Sequence, residues 1–274
     1  MHKVALVTGG SAGIGESAAR ELQGKGFKVY AVARRVDKMA GLASDGVHTF
    51  GMDVTDDDSM VSGIRRVLDE QGRIDVLVNN AGYGSYGSVE DVPLEEARRQ
   101  FDVNVFGMAR LIQLVTPTMR QQGSGRIINI SSVGGRIYEP FGAWYHATKF
   151  AVEGFSDSLR IELGPFGIHV VVVQPAAIAT EWNTIARESL AERSGGTAYA
   201  DMAKSAVAVL ERYDEPLRSS GPEVVGKKIA KAATVRRPAA RYPAGKGARF
   251  ATTARDLLPD AAFDQIIRRT FGVR

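Results

Sequence analysis

The sequence contains no cysteine among its 274 residues and no long uninterrupted run of apolar residues. Without thiols, disulfide bonds, thiolate zinc sites and cysteine nucleophiles are all excluded. No stretch approaches the roughly 18 apolar residues of a membrane-spanning helix, so we expect no integral membrane association. The chain starts in a strand-like segment without a charged-then-apolar leader, which favours a cytoplasmic protein over a secreted one.

Histidine is scarce, and basic charge is unevenly distributed. The four histidines lack the spacing of metal ligands, so the sequence predicts no metal site. The net charge is only +4, but residues 227–274 carry twelve Lys and Arg against three Asp. We interpret this segment as a solvated helical surface; an anionic substrate, an acidic partner or a membrane surface are the alternatives. No nucleic-acid-binding motif accompanies the charge, which argues against a nucleic-acid partner.

Strand-like and helix-like segments alternate along most of the chain. This alternation predicts an α/β fold, a doubly wound parallel sheet (Rossmann fold) in a single domain. We expect a substrate-lid insert at 176–222 and a C-terminal extension at 236–274, with a short strand and then a helix whose apolar side holds Phe263, Ile266 and Ile267. The predicted strands are 3–8, 27–33, 47–52, 74–79, 126–131 and 168–174, and the predicted helices are 13–25, 57–71, 94–121 and 143–164.

The first strand runs into a glycine-rich turn and then into a helical pattern. Glycines let the backbone approach a ligand closely, and a helix N-terminus offers free N–H groups and a partial positive charge to a phosphate. The spacing Gly-x3-Gly-x-Gly differs from the commoner Gly-x-Gly-x-x-Gly, but its place after the first strand favours dinucleotide binding. The turn supplies the predicted cofactor-binding residues Gly9, Ser11, Gly13, Ile14 and Gly15.

A phenol and an ammonium group, on Tyr145 and Lys149, are four positions apart in a segment that reads as helix. Residues at this spacing share one helix face. A nearby cation favours the phenolate, so we predict that Lys149 lowers the pKa of Tyr145 from about 10 towards working pH. A phenol with such a pKa can act as a general acid or base. His146 points about 100° away on the same helix, so we predict a packing role for it.

A third motif is an apolar strand, Ile127–Ser132, that ends in two hydroxyl residues thirteen positions before Tyr145. Together with the other two motifs, it resembles the short-chain dehydrogenase/reductase family in its compact, single-domain form. Asn79-Asn80-Ala81-Gly82 matches that family's fourth-strand motif, and the matches extend from residue 4 to residue 180. Its catalytic tetrad is matched in order and spacing by Asn104, Ser132, Tyr145 and Lys149.

The resemblance implies a role for each of these residues. Tyr145 would be the acid in reduction and the base in oxidation, and Lys149 would hold the nicotinamide ribose. Ser132 would bind the substrate oxygen, and Asn104 would hold a water that links Lys149 to solvent. Each residue alone also fits a structural role, but the ordered set with the glycine turn favours catalysis. Asn79 is carried over as a structural residue.

The end of the second strand bears on the choice of cofactor. It carries Arg34 and Arg35, where an NAD-binding fold usually has an acid for the adenosine 2′-hydroxyl. Guanidinium groups suit a 2′-phosphate, so we predict NADP(H) over NAD(H), with Arg34 as the main contact; Asp37 keeps NAD as the alternative. Ala176 stands where the family usually has glycine, which leaves the path of that loop open. The resemblance adds as cofactor-binding residues Asp53, Val54, Asn80, Ala81, Gly82, Tyr145, Lys149, Pro175, Ala176, Ile178 and Thr180.

Aromatic residues cluster in the segments that should surround the substrate. We expect them to line one largely apolar cleft and to accept a hydrophobic alcohol or ketone, steroid-, retinoid- or lipid-like. The alternative is that several of them pack the insert onto the body. Arg241-Tyr242-Pro243 and the long tail resemble relatives of 17β-hydroxysteroid dehydrogenases. The predicted substrate-binding residues are Ser132, Tyr138, Phe141, Trp144 and Trp182, and Tyr83, Tyr86, Ile178 and Ile185 are expected beside them.

The sequence therefore predicts an NADP-dependent alcohol dehydrogenase or carbonyl reductase. One alternative is a redox sensor of the same fold that binds dinucleotide without turnover, although such regulators typically lack the tyrosine–lysine pair. Sugar-nucleotide epimerases and dehydratases are disfavoured, because they use a different glycine spacing and a longer substrate domain. Relatives commonly pair through the helices predicted at 94–121 and 143–164, so we expect a homodimer or a homotetramer.

Overall fold

A computed structural model describes residues 2–273 and contains one sheet of seven parallel strands. The order across the sheet is β3-β2-β1-β4-β5-β6-β7. Successive strands are therefore added on one side of β1 up to β3 and on its other side from β4 onwards. All six predicted strands are present, and the seventh forms within the predicted extension. The strands are β1 Val4–Thr8, β2 Lys28–Ala33, β3 His48–Gly51, β4 Val76–Asn79, β5 Gly125–Ile130, β6 Ile168–Pro175 and β7 Arg241–Ala244.

Helices cover both faces of this sheet. They are α1 Gly13–Gln23, α2 Ala40–Ser44, α3 Asp57–Gln71, α4 Leu94–Phe101, α5 Met108–Gln121, α6 Ala143–Leu163, α7 Glu181–Ser194, α8 Ala200–Arg212, α9 Pro222–Thr234, α10 Ala248–Leu257 and α11 Asp260–Phe271. On one face, α1 and α9 bury residues such as Leu22 and Ile229. On the other, α3, α5 and α6 bury Ile64, Leu111 and Val152. The central strands β1, β4, β5 and β6 are buried and mainly apolar because both of their faces are covered.

The helix predicted over 94–121 is interrupted in the structure. A widened, π-helical turn at Asp102–Gly107 joins α4 to α5 and carries Asn104. At Gly107 a side chain would collide with the carbonyl oxygen of Val54, so the glycine allows this helix to approach the β3–α3 connection. π-Turns inside helices occur frequently at functional sites. Three further helices, α2, α9 and α10, were not predicted individually.

The predicted insert folds as α7 and α8, whose apolar faces form a third core. Leu190 and Leu210 from these helices pack with Tyr86 and Tyr145 of the body. In α11, Phe263 is buried as predicted, whereas Ile266 remains 49 % exposed, so the predicted apolar side is only partly correct. None of the helices within residues 2–273 combines the length and apolar character needed to cross a membrane.

Part of the C-terminal positive charge is used in ion pairs with the body. Arg241 at the start of β7 contacts Glu153 at 2.9 Å and Asp157 at 2.6 Å, both on α6. Arg255 on α10 contacts Asp260 at 2.6 Å. These pairs bind the extension to the body and to itself.

Candidate active site

A cleft of about 850 Å³ lies along the carboxyl ends of the strands, where the order of the sheet reverses. Ligands of doubly wound sheets bind at such switch points. Most of the predicted site residues line this cleft: Gly9, Ser11, Gly13, Ile14, Arg34, Arg35, Asp53, Val54, Asn80, Ala81, Gly82, Ser132, Tyr145, Lys149, Pro175, Ala176, Ile178, Thr180 and Trp182. Gly15, Asn104, Tyr138, Phe141 and Trp144 are not part of its lining.

The glycine turn forms a tight cradle at one end of the cleft. Gly9 and Gly13 have φ of +67° and +57°, which side-chain-bearing residues rarely adopt. A side chain at Gly15 would collide with the carbonyl oxygen of Gly9, so Gly15 supports the turn from behind. Since α1 begins at Gly13, its free N–H groups lie at this cradle. The backbone therefore fits the pyrophosphate of a dinucleotide.

Hydrogen bonds hold the cradle against β4. The Thr8 hydroxyl accepts bonds of 3.0 Å from the backbone N–H groups of Asn80 and Ala81. The Asn80 side chain donates to the carbonyl of Thr8 at 3.0 Å, so its amide stabilises the turn. Asn79 donates to Asn129 at 2.9 Å and links β4 to β5, in keeping with the structural role predicted for it.

The two arginines after β2 have different surroundings. Arg34 is exposed and lines the cleft, and its charge, together with that of Arg99, lowers the pKa of Asp53. Burial alone would raise that pKa, but hydrogen bonds from Thr55 and the two arginine charges together lower it. Arg35 instead contacts Glu181 at the start of α7, with 2.9 Å between Nη2 and Oε2. Both arginines line the cleft, but only Arg35 forms an ion pair within residues 2–273.

Sequence reasoning missed the ion-pair cluster around Glu181. Its carboxylate also accepts a bond of 3.0 Å from Lys38, and Arg35 reaches the Ser11 hydroxyl at 3.5 Å. These contacts link the glycine turn, the loop after β2 and α7. No local pattern indicates them, because Arg35 and Glu181 are 146 positions apart in the sequence.

The loop after β6 accommodates Ala176 without strain. Ala176 does not have a positive φ; among the non-glycine residues between 2 and 273, only Phe141 does. Ala176 therefore does not need the conformational freedom of glycine. Its N–H donates to Ala244 at 2.9 Å and extends the pairing of β6 with β7. Beyond it, Ile178 is buried, and the Thr180 methyl group lies against Gly13. The pairing with β7 therefore determines the path of this loop, which the sequence had left open.

Tyr145 and Lys149 lie side by side in the cleft as predicted, but their proton affinities differ from the prediction. Lys149 Nζ is 5.8 Å from the centre of the Tyr145 ring and donates to the carbonyl of Ile130 at 2.9 Å. Burial lowers the pKa of Lys149 to about 8, although Glu153 opposes this shift. Burial raises the pKa of Tyr145; a hydrogen bond with Ser132 opposes the change and the charge of Glu139 adds to it.

The predicted lowering of the Tyr145 pKa by Lys149 is therefore wrong for this structure. Both groups are less than a tenth exposed, so desolvation disfavours the charged form of each. A lysine with a pKa near 8 also loses its proton more readily than an ordinary lysine does. The helical spacing predicted the proximity of the two residues but not their burial.

Ser132 and Asn104 are held by the backbone around them. The Ser132 hydroxyl accepts a bond from the N–H of Gly134 at 3.0 Å and donates to Pro175 at 3.4 Å. The Asn104 amide donates to the carbonyl of Tyr83 at 2.9 Å and to Thr148 at 3.1 Å, and it accepts from the N–H of Tyr83. The Asn104 side chain thus positions the loop after β4; its role in holding a water stays a prediction.

His146 stabilises the loop that precedes α6. Its Nδ1 lies 2.8 Å from the carbonyl of Gly134, and its Nε2 accepts a bond of 3.0 Å from the N–H of Glu139. These partners identify the tautomer as neutral, with the proton on Nδ1. The packing role predicted for His146 agrees with these contacts.

Three residues predicted for the substrate pocket lie elsewhere. Tyr138 turns to the C-terminal helix, where its hydroxyl donates to Asp264 at 2.7 Å and its ring packs on Phe263. Phe141 packs on Tyr199 in the third core, and Trp144 does not line the cleft. From the same loop, Ile137 and Glu139 line the cleft, whereas Tyr138 contacts α11.

The substrate half of the cleft has aromatic walls and one carboxylate that the sequence did not reveal. Trp182 packs at 5.0 Å from the Tyr145 ring and 5.8 Å from the Tyr86 ring, measured between ring centres. Glu139 accepts hydrogen bonds from the hydroxyls of Tyr86 at 3.5 Å and Tyr213 at 3.3 Å. Tyr213 follows α8, so only the folded insert brings it to Glu139.

The chain is similar to known proteins along its full length. The family model described as short chain dehydrogenase matches residues 3–191. The oxidoreductase YusZ of Bacillus subtilis is 36 % identical, with 97 % of this chain and 98 % of that protein covered. The 3-ketodihydrosphingosine reductase of Bacteroides thetaiotaomicron is 33 % identical, with 99 % of each covered. An NADPH-dependent 3-dehydrocapnine reductase of Ornithobacterium rhinotracheale is 33 % identical, with 96 % of this chain and 95 % of that protein covered.

Solved structures give the same likeness. A short-chain dehydrogenase from Streptomyces avermitilis superposes with a TM-score of 0.80 at 30 % identity, covering 100 % of this chain and 99 % of that one. A serine dehydrogenase in its closed form, solved with NADP+, superposes with a TM-score of 0.74 at 26 % identity, covering 87 % and 93 %.

Proposed function

Since the chain belongs to the short-chain dehydrogenase/reductase family, we propose that it transfers a hydride between NADP(H) and a hydrophobic ketone or alcohol. The observation that carries the proposal is the meeting of Ser132, Tyr145 and Lys149 in one cleft with an aromatic wall. The glycine cradle and the reacting groups lie in that same cleft, as a dinucleotide enzyme requires. When bound, the nicotinamide supplies or accepts the hydride.

The residues around the carbonyl oxygen handle the proton. Because burial raises the pKa of Tyr145, its phenol is protonated near neutral pH and can donate to the substrate oxygen in reduction. The Ser132 hydroxyl stabilises negative charge on that oxygen, and the Lys149 ammonium stabilises the phenolate that remains. Trp182 and Tyr86 exclude water from the reacting groups. These residues suit the reductive direction.

Arg34 supports a preference for NADP(H). Its guanidinium lies at the end of β2 without a carboxylate at the position where NAD-binding folds carry one. Of the similar proteins, the serine dehydrogenase was solved with NADP+, and the 3-dehydrocapnine reductase is NADPH-dependent by name. Arg35, which is paired with Glu181, would contribute less.

The walls of the cleft support a hydrophobic substrate. Besides Trp182 and Tyr86, the side chains of Ile137, Ile185 and Leu210 line its substrate half. Two relatives that match nearly the whole chain are named as reductases of 3-ketodihydrosphingosine and 3-dehydrocapnine. A long-chain ketone is accordingly the substrate class to test first.

A homo-oligomer is also part of the proposal. Phe106, Phe150 and Ile161 are 61 %, 46 % and 73 % exposed on the helical segments predicted to pair. Exposed apolar side chains on two neighbouring helices suit an interface between copies of the chain. Light scattering of the purified protein, with Phe106→Ser as a variant, tests this part.

The test of the proposed function combines turnover with cofactor binding. We expect reduction of long-chain ketones with NADPH, and an Arg34→Ala variant that binds NADPH about tenfold or more weakly while its affinity for NADH is unchanged. Arg65→Ala, an exposed arginine on α3, is the matched control. Equal affinity of the wild type for both cofactors would overturn the NADP preference, and a lack of turnover would favour a dinucleotide-binding sensor.

A further inference from the structure

The carboxylates that line the cleft differ in the groups that compensate their negative charge. Asp53 accepts hydrogen bonds from Thr55, and Glu181 is paired with Arg35 and Lys38. Glu139, in the substrate half, has no basic side chain as a partner between residues 2 and 273; its hydrogen bonds come from two tyrosines. A carboxylate inside an apolar cleft is unfavourable unless a positive charge compensates it.

The two tyrosines that donate to Glu139 are neutral and do not provide that charge. The bonds from Tyr86 and Tyr213, at 3.5 and 3.3 Å, are long for hydroxyl donors and leave oxygen lone pairs free. His146 contacts this segment through its Nε2, which accepts the N–H of Glu139, and not through the carboxylate. Burial raises the pKa of the Glu139 carboxyl, although the nearby His146 and the hydrogen bonds from Tyr213 and Tyr86 oppose this change.

Aromatic rings line the same half of the cleft as Glu139. Tyr86, Tyr213 and Trp182 all line this half of the cleft. The faces of such rings attract ammonium groups, most strongly where water is excluded. A carboxylate among aromatic rings is therefore a chemically consistent site for an ammonium group.

We propose that Glu139 binds an ammonium group of the substrate close to the carbon that is reduced, so that the enzyme prefers amino ketones with an apolar chain. Tyr86 neighbours both groups: its ring centre is 6.0 Å from that of Tyr145, and its hydroxyl donates to Glu139. Because proton donor and carboxylate share this neighbour, an amine within a few bonds of the carbonyl would lie towards Glu139. This inference rests on the proposed function.

The test compares a long-chain ketone that carries an amine next to the carbonyl with its neutral N-acetyl derivative. We expect wild-type kcat/KM to favour the amine at least tenfold, because a charge-assisted hydrogen bond forms. Glu139→Gln should lose about tenfold or more on the amine and change little on the neutral ketone. Glu211→Gln, an exposed acid on α8, is the matched control, and thermal unfolding verifies that both variants fold.

A second measurement does not depend on turnover. Binding of the corresponding saturated long-chain amine and of its N-acetyl form is followed by isothermal titration calorimetry. Tighter binding of the amine that disappears in Glu139→Gln supports the ammonium site even where neither ketone is reduced, an outcome that would defeat only the proposed function. Equal binding of the two compounds, or a preference that survives in Glu139→Gln, overturns the assignment of Glu139 while leaving ketone reduction intact.

Discussion

Lys149 Nζ lies 5.8 Å from the centre of the Tyr145 ring and is held there by a 2.9 Å hydrogen bond to the carbonyl of Ile130. The end of β5, and not the helix that carries the two residues, therefore determines the direction of the lysine. Because both side chains are buried, each is closer to its neutral form than it would be in water.

Replacement of Tyr145 by Phe removes the proton donor and keeps the ring. We expect kcat to fall about 10²- to 10⁴-fold, the usual range for loss of a general acid, with NADPH affinity within about threefold of wild type. Stopped-flow turnover and nicotinamide fluorescence measure the two quantities. Tyr199→Phe, whose hydroxyl bonds Glu90 outside the cleft, should behave as wild type. Unchanged turnover in Tyr145→Phe would disprove the catalytic assignment.

The lowered pKa of Lys149 predicts a pH-dependent stability. Between pH of about 8 and 10.5 the unfolded chain holds a proton on this lysine that the folded chain has lost. The free energy of unfolding should therefore rise with pH through that window, by about 3 kcal/mol in total. Below pH 8 this lysine does not make the free energy of unfolding depend on pH, because it is charged in both the folded and the unfolded state.

A Lys149→Met variant isolates this contribution. Denaturant unfolding of wild type and variant at pH 7 and pH 10 gives the difference in free energy of unfolding at each pH. The wild type should gain relative to the variant as pH rises, since methionine does not titrate. A difference that stays constant would show that Lys149 has an ordinary pKa, and one that moves in the other direction would show a raised pKa; either result contradicts the prediction.

Gly15→Ala should damage the cofactor cradle. The added methyl group would collide with the carbonyl oxygen of Gly9, so the turn must shift, at a cost of about 1–3 kcal/mol in stability. We expect NADPH affinity to fall at least tenfold. Gly24→Ala is the matched control, because Gly24 has a helical φ of −61° and room for a methyl group. Equal NADPH affinity in the two variants would contradict the cradle.

Ala176→Gly tests whether the loop after β6 needs glycine. Since Ala176 is unstrained and paired with Ala244, glycine should add only backbone freedom to the unfolded chain and lower stability by about 0.4–1 kcal/mol. NADPH affinity should remain within about twofold. A variant that is more stable, or that binds NADPH much more tightly, would indicate a strained loop at this position.

Local patterns were sufficient for the strands and for most of the cofactor half. The buried strand VALVT and the glycine turn after it predict a phosphate site without any tertiary information, because strand and turn are local in the chain. The four-residue spacing of Tyr145 and Lys149 likewise predicts that they share a helix face. The interruption at Asp102–Gly107 was missed, since it depends on the approach of Val54 from a distant segment.

The substrate half was predicted less well. Aromatic side chains are equally suited to a core and to a pocket, so composition did not distinguish Trp182, in the cleft, from Phe141, in the third core. Glu139 carried no local signal. It becomes notable only when Tyr86 and Tyr213, from two other segments, come within hydrogen-bonding distance.

The sequence by itself determined the order of the strands along the chain, the glycine turn and the spacing of the reacting residues, because each depends on neighbours a few positions away. The tertiary structure decided the pKa of Tyr145, the pairing of Arg35 with Glu181 and the exposure of Glu139 to the cleft. These properties depend on burial and on charges brought together from distant segments. Desolvation and long-range pairing exist only once the chain has folded.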